Sequence, residues 1–247
     1  MAIPESILSI HAHEESLRKT TISDIHREWY LLLDTSLIEK SMNLINYFIL
    51  QHINDGDKDN DILTIRLLGI RMFNASGSAL KLLLSGYYQT SALQQRDLLE
   101  TIFLLDYFAT NKAQISKWRG SDPTTRIKNF GPGKIRDALD TKDGLTNKKR
   151  NKKYKLLCNL AEHPTNEGFR MLTSEHGGNA KCGPYFDFNN MRATLEELAI
   201  EMIQAGEICI KFLKERNRLD LEMTKDFMGG VLEWRETLKK RPPVEKH

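Results

Sequence analysis

Apolar residues recur at spacings of three and four along most of this chain, the period of helices with one buried face. In Ile22–Ile53 the series runs Trp29, Leu32, Leu33, Leu37, Leu44, Ile45, Phe48 and Ile49. The acidic stretch Asn54–Asn60 ends that region, and Asp61–Gly86 resumes with Ile65, Leu68, Met72, Leu80, Leu83 and Leu84. Inside it, Asn74-Ala-Ser-Gly-Ser is a patch of small residues suited to a kink or a close helix crossing. The chain is expected to bend around Tyr87–Ser91, with Thr90 or Ser91 capping the next helix. That helix holds the most apolar run, Leu93–Phe108, which reads LQQRDLLETIFLLDYF.

Lys112–Trp118, Lys134–Asp140 and Asn147–His163 predict shorter helices, punctuated by Gly120-Ser-Asp-Pro and Phe130-Gly-Pro-Gly. The segment from Pro164 to Asn190, rich in glycine and polar residues, predicts a long loop. Met191–Lys214 and Leu219–Lys240 predict two long amphipathic helices, and Arg241-Pro-Pro-Val a tail. Strand-like alternation is scarce, with Tyr185-Phe-Asp-Phe the one short candidate. The expected fold is all-α: a single 247-residue domain, a multi-helix bundle with an irregular basic middle segment, a long Gly/Pro-containing loop and a disordered tail after about residue 241.

Charge changes this picture by being segregated. Residues 1–110 carry nine Lys/Arg against fourteen Asp/Glu, residues 111–155 fourteen against four, and residues 156–247 thirteen against fifteen. One short segment therefore holds the basic excess behind a net charge of only +3. The three cysteines, Cys158, Cys182 and Cys209, lack CxxC spacing and suggest a reducing compartment. The N-terminal residues lack the basic and apolar regions of a signal peptide, and no apolar run reaches the ~20 residues needed to span a bilayer. A soluble cytoplasmic protein without membrane partners is expected.

On a helix, Leu93, Arg96, Glu100, Phe103 and Tyr107 form one stripe, and Leu98, Leu99, Ile102 and Leu105 form its neighbour. The Arg96/Glu100 pair is thus surrounded by apolar side chains along its own face and should meet another helix. The segment Leu156-Leu-Cys-Asn-Leu-Ala-Glu-His-Pro offers a second polar pair, Asn159 and His163, with Pro164 placing His163 near a helix end.

An apolar helix with R-x-x-x-E, followed by a tyrosine-containing helix ending in N-x-x-x-H-P, resembles all-helical bacterial proteins loosely related to the HEPN superfamily. The matching residues are Arg96, Glu100, Tyr154, Asn159, His163 and Pro164, within about Ser78–Pro164. The resemblance implies an RNA-directed effector or accessory protein in bacterial defence, and in active members a metal-independent ribonuclease needing no cofactor. Arg96, Glu100 and His163 would line a pocket for phosphate or another small polar ligand, with Arg96 as the anion clamp, Glu100 as its orienting partner and His163 as the proton donor or acceptor. Cleavage would proceed by internal attack of the 2′-hydroxyl and leave a cyclic phosphate. The family's nuclease signature, Arg followed by His after four to six residues, has one match, Arg170-x5-His176. It lies in the expected loop instead of at a helix start.

The basic segment ends in Asn147-Lys-Lys-Arg-Asn-Lys-Lys-Tyr-Lys. There Lys148, Lys149, Arg150, Lys152, Lys153 and Lys155 are candidates for phosphate contact, with no motif for base readout. Asp55, Asp57, Asp59 and Asp61 have the alternation of a calcium loop. However, Asn60 replaces the turn glycine and Arg66 stands where a bidentate Glu is needed, so an acidic connecting loop is expected. Cys158, His163, His176 and Cys182 form a zinc-compatible ligand set at loose spacing, and no metal is assigned. His11 and His13 are expected at the surface. Nothing matches a phosphate-cradling Gly-rich loop, a nucleophile elbow or a dinucleotide fingerprint. Leu195, Leu198, Met202, Ala205, Cys209 and Phe212 make a stripe that fits either the core or a homodimer interface. The alternative to RNA engagement is therefore a non-catalytic interaction protein in which Arg96, Glu100 and His163 are structural.

Overall fold

The computed structural model describes residues 3–53, 59–173 and 180–243. Among these the fold is all-α, with one isolated antiparallel bridge, Thr173 to Ala180, and no strand; Tyr185–Asp187 only leads into a helix. Four long helices make the core: α2 (Trp29–Gln51), α3 (Asn60–Leu84), α4 (Tyr88–Thr110) and α10 (Phe188–Glu215). A helix α1 (Glu5–Arg27) precedes them and α11 (Leu221–Thr237) packs on α2. Between α4 and α10 the chain forms α5 (Ala113–Gly120), α6 (Pro123–Phe130), α7 (Pro132–Lys142), α8 (Lys149–Leu157), a π turn over Cys158–Glu162 and the short α9 (Asn166–Phe169). Of these, α7, α8 and the π turn pack on α4, and α5 packs on α3.

The core follows from the apolar pattern. Leu98, Leu99, Ile102 and Leu105 of α4 are buried against Leu195, Leu198, Met202, Ala205 and Cys209 of α10, which are fully buried. That α10 stripe is thereby spent inside the fold and does not face a second copy. Helix crossings are set by small residues. A side-chain carbon on Gly69 would come within 2.6 Å of the Phe48 ring, and one on Gly206 within 2.4 Å of Phe227. The close crossing therefore falls at Gly69, ahead of the Asn74–Ser78 patch, where α3 continues unbroken.

Capping explains several boundaries. The carboxylates of Asp59, Asp122, Asp187 and Asp220 each accept a backbone N–H in the first turn of the helix they precede, offsetting one of its unpaired donors. In Gly120-Ser-Asp-Pro the punctuation is the start of α6, with Asp122 as cap and Pro123 in the first turn. Helix α4 departs from expectation: it begins at Tyr88 behind Tyr87 and has no side-chain cap. Ser91 instead is buried and donates to the Ala79 carbonyl. The preceding turn uses Gly86 at φ +83, where a side-chain carbon would strike the Tyr185 backbone.

The helical region Ile22–Ile53 falls in two helices that part at Glu28, whose extended backbone turns the chain. The loop expected over 164–190 contains α9 and a 3-10 turn at Arg170–Leu172, and α10 starts at Phe188. The tail expected after about 241 is anchored through its first residues: Arg241 pairs with buried Asp34, and Arg192 donates to the Pro242 carbonyl at 2.6 Å. Residues 244–247 lie outside the described residues. His11 and His13 are exposed. No helix among the described residues is long and apolar enough to cross a membrane.

Candidate functional site

Helix α4 turns Arg96 and Glu100 toward α8 and the π turn. Arg96 donates from Nη2 to Glu100 Oε1 at 2.8 Å, and its Nε lies 2.9 Å from Glu162 Oε2. The Tyr154 hydroxyl sits between them, 3.2 Å from Arg96 Nε and 2.6 Å from Nη2, and donates to Glu100 Oε1 at 2.5 Å. From α7, the Arg136 guanidinium lies 3.8 Å from the centre of the Tyr154 ring, within cation–π range. One cation thus faces two carboxylates and a phenol, all half-buried.

The electrostatics hold Arg96 charged and Tyr154 protonated. Burial opposes the charge on Arg96, but Tyr154 and Glu100 outweigh it and hold the guanidinium charged. Burial, together with the hydrogen bond to Glu100, pushes the Tyr154 phenol well above its usual range. Burial, with Glu162 beside it, also raises the Cys158 thiol, so the thiol is no activated nucleophile.

The inward residues of this helix are Tyr154, Cys158 and Glu162, at i, i+4 and i+8. Asn159 and His163, the pair expected to face Arg96, lie outward and exposed, as does Leu156. The reason is rotational, since a face that presents Tyr154 inward carries Asn159 away from it. The π turn, closed by the His163 N–H on the Cys158 carbonyl at 3.1 Å, sets Glu162 at the cluster. His163 is 64% exposed, and its Nε2 lies 3.8 Å from the same Glu162 Oε2 that faces Arg96. Glu162 therefore joins the two residues, though the sequence reading had not singled it out. Arg170 opens the 3-10 turn and is exposed, and His176 lies outside the described residues.

The expected basic candidates divide. Arg150 is held by Asp140 at 2.7 Å and by Asp143, and Lys153 pairs with Glu197 at 2.7 Å, so both serve the fold. Lys148, Lys149, Lys152 and Lys155 are exposed and make no ion pair among the described residues. Lys148 precedes α8 in a left-handed conformation (φ 50). Further along the basic segment, a groove of about 880 Å³ between α5, α6 and α7 is lined by Lys117, Lys128 and Lys134 with Ser116, Thr125 and Asn129. These three lysines are also exposed and without an ion pair among the described residues. The charge segregation held the signal for this groove. Its convergence depends on how α5, α6 and α7 fold back on one another, which composition does not show.

Two further candidates are used elsewhere. Asp59 caps α3 and Asp61 pairs with Arg119 at 3.1 Å, while Asp55 and Asp57 lie outside the described residues. Cys158 is buried and Cys182 exposed, and among the described residues no group of three or more His, Cys, Asp or Glu is arranged to hold a metal ion. Neither a protein-family model nor a curated protein nor a solved structure matches the chain.

Proposed function

We propose that this protein binds the phosphate backbone of RNA or a related nucleic acid, in an accessory or effector role of the kind the HEPN resemblance implies. The observation that carries the reading is the set of seven exposed lysines, 117, 128, 134, 148, 149, 152 and 155, that have no ion pair among the described residues. Three of them converge on one groove together with hydroxyl and amide side chains and a single carboxylate, Asp122, which caps α6. Lysines not neutralised by the fold are available to displace counterions from phosphates, which gives sequence-tolerant and salt-sensitive affinity. The test is anisotropy of a labelled single-stranded RNA at stepped salt, with wild type against Lys117→Ala/Lys128→Ala/Lys134→Ala. The triple variant weakens binding at low salt. Equal binding by both proteins rejects the groove as the phosphate site.

Cleavage is a second reading, carried by the Glu162 oxygen that faces both Arg96 and His163. His163 is open to solvent, whereas Arg96 is committed to two carboxylates and Tyr154. That geometry favours a structural role for Arg96 and Glu100 and leaves His163 as the group to test. A ribonuclease assay in EDTA that finds wild type and His163→Ala equally active removes this assignment.

A further inference from the structure

Helix α6 lines two recesses of opposite chemistry. It gives Thr125, Lys128 and Asn129 to the lysine groove, and Arg126 and Ile127 to a separate cavity of about 310 Å³. Phe130 lines both. The cavity wall is largely apolar and aromatic, with Phe103 and Leu104 from α4, Trp118 from α5 and Ile135 from α7 beside the α6 residues, and it also carries Glu100 of the polar cluster and Arg71 of α3. Its volume is at the lower end for small-molecule sites, roughly 300–1,000 Å³. Arg126 lies 5.1 Å from the Trp118 ring centre and is fixed by the Trp118 and Ser121 carbonyls at 3.2 and 2.6 Å. Ile127 is 74% exposed at this recess, adjacent in sequence to Lys128 of the groove.

We propose that the cavity receives a base of a single-stranded nucleic acid whose phosphates lie in the lysine groove. The inference rests on the phosphate-binding reading and assigns it a substrate class. A nucleotide has one planar, largely apolar half and one anionic half, and the two recesses that share Phe130 offer a matching surface to each. Aromatic side chains and arginine planes are the usual platforms for an unstacked base, and stacking tolerates any base. A duplex keeps its base faces stacked inside and presents phosphates, 2′-hydroxyls and base edges, so it uses the groove alone. The cavity walls come from five helices, α3 to α7, so the site does not depend on a neighbouring loop closing over it.

The experiment compares three probes on the full chain at one salt concentration: a uridylate oligomer, an abasic ribose-phosphate oligomer of equal length, and a blunt RNA duplex. Wild type should bind the uridylate oligomer about tenfold or more tightly than the abasic one, the size expected for stacking a base. Leu104→Trp, which fills the cavity, should lower uridylate affinity to the abasic level, with a thermal melt verifying its fold. Equal affinity of wild type for the two oligomers, or preference for the duplex, overturns the base site while leaving phosphate binding intact. Failure of every probe to bind in a salt-dependent manner overturns the phosphate reading and this inference with it. Should Leu104→Trp not fold, the comparison of probes on wild type decides.

Discussion

Arg241 Nη1 and Nη2 lie 2.9 and 2.8 Å from the two carboxylate oxygens of Asp34, across 207 positions of sequence. Asp34 is fully buried on α2 and also accepts from the Trp234 indole, while Arg241 reaches on to Glu196 of α10 at 3.1 Å. The contact fastens the end of the chain to the centre of the bundle. Replacing Arg241 by Ala leaves a buried carboxylate without its counter-charge. We expect a loss of about 3–5 kcal/mol in urea unfolding. The double variant Asp34→Ala/Arg241→Ala should lose less than the sum of the single changes, because neither charge is then stranded. A freely moving Arg241 would instead give a change under about 0.5 kcal/mol.

The Tyr154 hydroxyl is the hinge of the polar cluster, since it bonds to both Arg96 and Glu100. Tyr154→Phe keeps the ring against Arg136 and removes only that hydroxyl. A loss of about 1–2 kcal/mol is expected by denaturant unfolding. His163→Ala, at a 64% exposed side chain, should stay within about 0.5 kcal/mol of wild type. Similar losses for the two variants would show that His163, and not only Tyr154, supports the cluster.

Glu201 on α10 is fully buried, and neither carboxylate oxygen has a hydrogen-bond partner. Burial drives its pKa well above the ordinary carboxylate range; Lys153 opposes the shift and Glu197 adds to it. The folded protein therefore holds this proton at pH values where the unfolded chain has released it. Over that interval the stabilising contribution, complete below the unfolded pKa, declines as pH rises toward the folded value. Glu201→Gln mimics the protonated acid and removes the decline. Its melting-temperature advantage over wild type should be larger at pH 8 than at pH 5. An advantage independent of pH would mean that Glu201 is not the titrating group.

Each phosphate contact adds to the slope of log affinity against log salt by about 0.7 for single strands. The groove variant lacking Lys117, Lys128 and Lys134 should accordingly flatten the RNA-binding slope by about 2. Neutralising Lys153 and Arg150 should act mainly through stability, because their charges are paired with Glu197, Asp140 and Asp143. A slope unchanged in the groove variant would place the phosphates elsewhere.

How far the sequence could be read depended on the range of each interaction. Leu98, Leu99, Ile102 and Leu105 announce the buried side of α4 because burial and helical period act on neighbouring residues. The Leu195–Phe212 stripe was equally visible, but its partner was not, since a core face and an interface have one pattern. Arg96 and Glu100 stood out as charges in an apolar helix. Tyr154 stands among the residues of the resemblance, whereas Glu162 is marked only by the i, i+4, i+8 series that runs from Tyr154 through Cys158. Asp34 and Arg241 carry no local signal, because their meeting is fixed by the packing of α2, α10 and α11. The lysine groove likewise required the fold before three scattered charges became one surface.

The π turn at Cys158–Glu162 bears on how this molecule can tolerate insertion and deletion. Losing one residue from an ordinary helix interior swings every later side chain to a new bearing. A π turn already holds one residue more than an α turn, so a deletion there can be absorbed by tightening to α geometry. Cys158–Glu162 is thus a point where the chain has a spare residue, and removing one residue there leaves the side chains that follow, and the bundle beneath, in register.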